Sequence, residues 1–218
     1  MFPLRIPIVL CLCTLTAMAS SDQTGRGESP SPSPLPAGYD ITATCELLSF
    51  SETDISDTYH HIAMYGVEAI VPIAPSVSVI ISGAYGKAGG SPFFDDPTFD
   101  AENINSVTMA PFSLGFRTNV SQNDRLRIYL TGAVQATWVQ EEYDRVDDGL
   151  CYGFILGYGP EWRSSDDRVG VSVLARWRGG SGDLGRGEQR HGFNTTGFSL
   201  RLGVGYKFGV KSSTGGDS

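Results

Sequence analysis

The chain has 218 residues, 40% of them hydrophobic, and a formal net charge of -8. That acidic balance argues against nucleic-acid binding, and no spacing among its four cysteines and three histidines resembles a zinc site. After the first residues no run approaches the roughly 20 apolar residues of a membrane helix, so a membrane crossing would have to be made by strands.

Residues 1–19 read as a cleavable export signal. Arg5 is the positive n-region, residues 6–16 form a short apolar core, and Ala17-Met18-Ala19 is a small-x-small cleavage site. Cys11 and Cys13 each follow a leucine, where lipoprotein processing takes a small residue, so a lipid anchor is not expected. Cleavage removes Arg5 and no acidic residue, which moves the formal charge from -8 to -9. Residues 20–37, ending in Ser29-Pro30-Ser31-Pro32-Ser33-Pro34, form a Pro/Ser-rich disordered linker on the periplasmic side. Residues 38–208 are expected to be one domain, and 209–218 a flexible tail.

The domain alternates with a period of two. In 38–50, Tyr39, Ile41, Ala43, Cys45 and Leu47 oppose Asp40, Thr42, Thr44 and Glu46. Segments at 61–73, 76–87 and 106–120 follow. The last of these changes its apolar parity near Pro111, which predicts a bulge, since proline gives no ladder donor. In 126–140, Leu126, Ile128, Leu130, Val134, Ala136 and Trp138 oppose Arg127, Tyr129, Thr131, Gln135 and Thr137. Residues 152–162 form the sixth segment. In 168–179, Val169, Val171, Val173, Ala175 and Trp177 oppose Arg168, Gly170, Ser172, Arg176 and Arg178. The last segment sets Phe198, Leu200, Leu202, Val204, Tyr206 and Phe208 against Ser199, Arg201, Gly203, Gly205 and Lys207.

Eight segments give an all-β reading: an eight-stranded antiparallel up-and-down transmembrane β-barrel. Short turns at 72–75, 121–125 and 164–167 alternate with long polar links at 51–59, 88–105, 141–150 and 180–195, as periplasmic turns and extracellular loops do. A soluble lipocalin-type barrel shares the alternation, with its apolar set turned inward. The membrane reading is favoured by Tyr39, Tyr85, Trp138, Trp162, Trp177, Tyr206 and Phe208 near strand ends on the apolar parity. Glycine and serine on the polar parity also suit a cramped lumen. Eight strands leave an interior only wide enough for side chains. Glu46, Glu68 and Glu161 are expected to pair there with Arg117, Arg127, Arg176, Arg201 and Lys207, which disfavours a wide pore.

The run Arg127-Ile128-Tyr129-Leu130 to Gly132, residues 154–161, Ala175-Arg176-Trp177, Asn194-Thr195-Thr196-Gly197 and Gly203-Val204-Gly205-Tyr206-Lys207-Phe208 resembles the outer-membrane lipid A 3-O-deacylases. The same eight-strand plan is shared by small barrels of the outer membrane protein A and X type. In the deacylases an Arg-aromatic-x-His-x-Ser-Asn signature supplies a serine nucleophile and its histidine base, with a glutamate further on that orients the histidine. The corresponding run here is Arg176-Trp177-Arg178-Gly179-Gly180-Ser181-Gly182, in which Gly179 replaces the histidine and Gly182 the asparagine. The resemblance implies Ser181 as the candidate nucleophile, with His191 as substitute base and Glu188 behind it. A serine without an adjacent base is a weak nucleophile.

Two functions are therefore carried forward. The first is a small outer-membrane barrel with a filled lumen and a structural or surface-interaction role, in contact with outer-membrane lipids and lipopolysaccharide. The second is a lipid A 3-O-deacylase-like ester hydrolase, or a degenerate form of one. The expected state is a monomer without cofactor or metal. Asp95, Asp96, Asp100 and Glu102, and Glu141, Glu142, Asp144, Asp147 and Asp148, make two links acidic without an ordered cation-ligand spacing. His60 and His61 are expected at the interface. Parity sends Cys45 outward and Cys151 towards the lumen or its loop, three strands apart, so two free thiols are expected.

Overall fold

The computed structural model describes residues 38–52, 59–90, 105–122, 125–142, 146–187 and 190–209. The expectations for 1–19 and 20–37 lie outside them, as do those for nearly all of 209–218. The strands are β1 (Tyr39–Phe50), β2 (His61–Ala74), β3 (Val77–Gly90), β4 (Asn105–Gln122), β5 (Leu126–Glu142), β6 (Val146–Arg163), β7 (Val169–Leu184), the short β8 (His191–Asn194) and β9 (Gly197–Phe208). Each of the main strands pairs antiparallel with its neighbours, β7 pairs with β9, and β9 pairs with β1. The ring is closed by eight strands, so it has no free edge along its main course. Short β8 pairs with the upper end of β7 and extends the wall there.

Apolar parity faces outward. Tyr39, Ile41, Leu47, Val67, Phe112, Leu114, Phe116, Leu130, Val134, Leu156, Leu200 and Leu202 are all exposed on the outer surface, while the charged parity is buried inside. This is the reverse of a soluble ligand-binding barrel. On β9 the outward series Phe198 to Phe208 covers ten residue steps. That is about 33 Å of strand, or about 25 Å of height at a 40° tilt, which matches the apolar band of outer-membrane barrels. Among the described residues, the charged side chains on outward parity (Lys87, Glu142, Asp148 and Asp183) all lie at the long-link ends of their strands.

The parity change near Pro111 has another cause than a bulge. The register of β4 runs unshifted past Pro111 on both sides. The missing donor leaves Ala84, Tyr85, Ala110 and Pro111 out of the β3–β4 ladder, and Pro160 does the same at 159–160 between β6 and β7. Irregular register occurs instead at Asn119/Ser121 and Pro72/Ala74, beside short turns. What changes at Pro111 is the lumen. Below it most inward residues are polar or charged, with Ile70, Ile80 and Leu174 among them, and above it they are largely apolar: Leu48, Phe50, Ile62, Met64, Val107, Met109, Val139, Leu184 and Phe193 pack together at the long-link end.

Two expected long links are shorter than their polar sequence suggests. β5 and β6 continue to Glu142 and from Val146, and β7 continues to Leu184 before β8 returns. Past the outer apolar band the outward residues become polar while inward ones such as Leu184 are apolar, so the alternation that marks a strand inside the band fades or inverts there. At the opposite end Gly38 (φ 115°) lies against the end of β9, where a side-chain Cβ would stand 2.2 Å from the Phe208 carbonyl oxygen. Only glycine fits at this foot of the seam.

Candidate functional site

The lumen is built in layers. At the short-turn end Asp167, in a left-handed conformation (φ 56°), points its carboxylate at Arg127 (Nη2–Oδ1 2.8 Å) and Lys207 (Nζ–Oδ2 2.7 Å). The next layer joins Arg163 to Asp40 and Glu161, and Glu161 to Arg117, whose guanidinium carbon lies 3.3 Å from the centroid of the Tyr129 ring. Two arginines thus meet two carboxylates, with a cation–π contact besides.

In the middle layer Arg201 donates to Glu68 through both terminal nitrogens, at 2.5 and 2.6 Å, a bidentate pair with both residues at most 2% exposed. Arg176 bridges Glu46 and Glu68 at 3.3 and 3.4 Å, and Arg178 and Ser199 also donate to Glu46. Glycine makes room for these long side chains. A Cβ on Gly157 would lie 2.4 Å from Thr131 Oγ1 and 3.2 Å from Arg176 Cγ.

This network contains the expected Glu46, Glu68, Glu161, Arg117, Arg176 and Arg201. Arg127 and Lys207 occupy its rim rather than its centre. Asp40 and Arg178 had the polar parity but were not assigned to the network. Arg163 was missed, because it follows Trp162 at the end of its segment; the one signal was its place on the parity of Glu161.

Above the apolar layer a polar group closes the mouth. The Tyr59 hydroxyl donates to Glu141 (2.7 Å), and His191 Nε2 is 3.1 Å from the other oxygen of Glu141. Burial and the Glu141 carboxylate raise the pKa of the Tyr59 phenol, which stays protonated. Three separate parts of the chain meet at Glu141: the approach to β2, the top of β5 and β8.

The structure does not bring Ser181 and His191 together. Ser181 is exposed on the outward parity of β7, opposite Asn194. His191 sits three residues before Asn194 and pairs with Leu184, whose side chain is buried in the apolar layer. The two candidates therefore occupy opposite faces of the sheet, about 10 Å apart along the strand. Glu188 lies outside the described residues, as do 91–104 and Asp144 of the acidic links. Gly179 leaves its space to the Phe154 ring, 3.1 Å from the Cβ position, and Phe154 meets Trp177 edge to face. Among the described residues no cluster of His, Cys, Asp and Glu could hold a metal. The two cysteines among the described residues are free, Cys45 on the outer face and Cys151 buried, as their parities predict.

No protein-family model matches the sequence, and no curated protein sequence matches it either. The similarity to the deacylases thus rests on the residues quoted above alone. Among solved structures, the chain is similar to the outer membrane protein OprG from Pseudomonas aeruginosa, with a TM-score of 0.59 at 11% identity over 81% of this chain and 98% of that one. It is also similar to the outer membrane protein AlkL, whose structure was determined in lipid bilayers, with a TM-score of 0.50 at 8% identity over 88% of this chain and all of that one. At such identities the likeness is one of fold: the closed eight-stranded barrel of small outer-membrane proteins.

Proposed function

We propose that this chain is a small bacterial outer-membrane barrel with a closed lumen, which acts through its surface on lipids, lipopolysaccharide included, and not by passing solutes. The observation that carries this reading is the outward apolar band, bounded by aromatic residues and free of described charges between its edges. In water such a surface would far exceed the few hundred Å² of apolar patch that soluble monomers expose. In a bilayer it is the required solvent-facing side. The ion-paired and apolar layers together argue against a wide channel.

The test is fractionation followed by electrophoresis. The protein should be recovered with outer membranes and need detergent for extraction, and it should migrate faster unheated than boiled. Planar bilayers containing it should show no porin-sized conductance. A monomer that stays in solution without detergent would refute the assignment.

One observation keeps the deacylase reading in view: Ser181 is exposed on the outward side, on the ladder opposite Tyr152, where an acyl chain could lie. Among the described residues no histidine stands beside it on that face. Mass analysis of lipid A decides the matter. Loss of an ester-linked acyl chain that depends on this protein and is abolished by Ser181→Ala would make it a hydrolase.

A further inference from the structure

The middle layer of the lumen does not balance its charge. Arg176, Arg178 and Arg201 face Glu46 and Glu68, one cation in excess, and all five residues are at most 5% exposed. The layer below cannot supply the missing anion, since Asp40 and Glu161 are engaged by Arg163 and Arg117. Both oxygens of each glutamate are already in use. Glu46 receives Arg178 and Ser199 on one oxygen and Arg176 on the other, while Glu68 receives Arg201 and Arg176.

Donors are left over. Nε and Nη1 of Arg178 and Nε of Arg176 have no hydrogen-bond partner. A small cavity opens beside them, lined among others by Ser82, Ser113, Gln135, Arg176, Arg178 and Arg201. Gln135 sends its amide nitrogen to Thr137, and its oxygen is unpartnered on the cavity wall. Turning that amide over would let the oxygen accept from the Thr137 hydroxyl and aim an N–H inward. Two serine hydroxyls, which can donate, complete the lining, although they also bond to each other at 2.6 Å. Glu46 shares the wall, but its charge is taken up by the two arginines and Ser199.

We propose that this cavity is a binding site for one small monovalent inorganic anion, of the halide class, held by Arg178 and Arg176 with Gln135 opposite. An uncompensated buried guanidinium is strongly unfavourable, and a single negative charge restores neutrality. A dianion would reverse the imbalance, and a larger oxyanion would need more room than these side chains leave. The apolar layer closes the long-link side, so the ion enters from the short-turn end or is enclosed as the ring closes. The site lies wholly inside the wall and does not depend on the surroundings of the outer face.

The experiment uses the full chain in detergent micelles, unfolded by urea in chloride, bromide, sulfate or gluconate at matched ionic strength. An ion that binds only the folded state should lower the unfolding equilibrium constant about ten-fold once it stands at ten times its dissociation constant. Chloride and bromide should therefore stabilise progressively, by about a further ten-fold for each ten-fold rise in concentration above the dissociation constant, and gluconate and sulfate should not. Arg178→Gln should abolish the halide dependence, and Arg127→Gln, at the rim, should retain it. Should Arg178→Gln fail to fold, excess relaxation of the chloride nuclear resonance by the unaltered protein, displaced by bromide, serves instead. Equal stability of the unaltered protein in chloride and gluconate, a halide effect that survives in Arg178→Gln, or no displaceable relaxation would each overturn the proposal.

Discussion

Glu68 is the most deeply buried acidic residue among those described in the lumen, and Glu68→Leu tests how much it carries. The residue is 1% exposed and receives three hydrogen bonds, two of them from Arg201 at 2.5 and 2.6 Å. Leucine keeps much of the volume but leaves Arg201, itself 2% exposed, without its carboxylate. Breaking one side of a buried pair costs about 3–5 kcal/mol, whereas an exposed pair is worth at most about 1 kcal/mol. Lys87 and Glu142, both about half exposed and 3.4 Å apart, provide the second case in the same molecule. Urea titration in micelles, followed by tryptophan emission and unheated gel mobility, should place Glu68→Leu several kcal/mol below the unaltered protein and Glu142→Gln close to it. The double variant Glu68→Leu/Arg201→Met removes both charges and should recover most of the loss, because the penalty belongs to the orphaned cation. A single variant that loses less than about 1 kcal/mol, or a double variant no better than the single, would refute the reasoning.

Leu130→Arg puts a charge within the outward band and should cost about 2–4 kcal/mol in lipid vesicles, against about 0–1 for Gln140→Arg beyond the Trp138 edge. Equal effects at the two positions would contradict the band drawn here. Met64→Ala, at a fully buried position in the apolar layer, should destabilise by about 2–5 kcal/mol in the same titration. Gly157→Val should lose at least about 1–3 kcal/mol through its collision with Thr131 and Arg176. Alkylation of the unfolded, unreduced protein should modify both Cys45 and Cys151. A mass two hydrogens lighter, with neither labelled, would mean that the strand order is different.

Period-two alternation made the ring legible because one face of every strand meets a single kind of surroundings across the apolar band. Tyr39 to Leu47 and Phe198 to Phe208 read directly for that reason. The rule fails where the lumen itself turns apolar. Val107 and Met109 share the inward parity of Ser113 and Arg117, so a change of surroundings mimics a change of register. It also fails above the band, where Asp147 and Asp148 belong to a strand although these adjacent residues, on opposite parities, are both charged. For the candidate site, a count along the chain set Ser181 near His191. Their separation becomes visible only from the β7–β8 register, which turns them to opposite faces.

The seam between the first and last strands is an unbroken antiparallel ladder, without the gaps of the β3–β4 and β6–β7 seams. Twelve register pairs run from Tyr39↔Phe208 to Phe50↔Gly197, and the rings of Tyr39 and Phe208 stack at 5.3 Å where the two strand ends meet. Except for Gly38 at its foot, the pairing of the described residues does not mark where the strand order begins. A few residues joining position 209 to position 38, with a new opening cut within 91–104, would make a circular permutant with an identical set of strand pairs. What such a permutant alters is assembly. The natural first strand must hold an unpaired edge until the last arrives, and the permutant passes that wait to β3 and β4. Comparing the two chains would separate the order in which the wall is laid from the stability of the wall once laid.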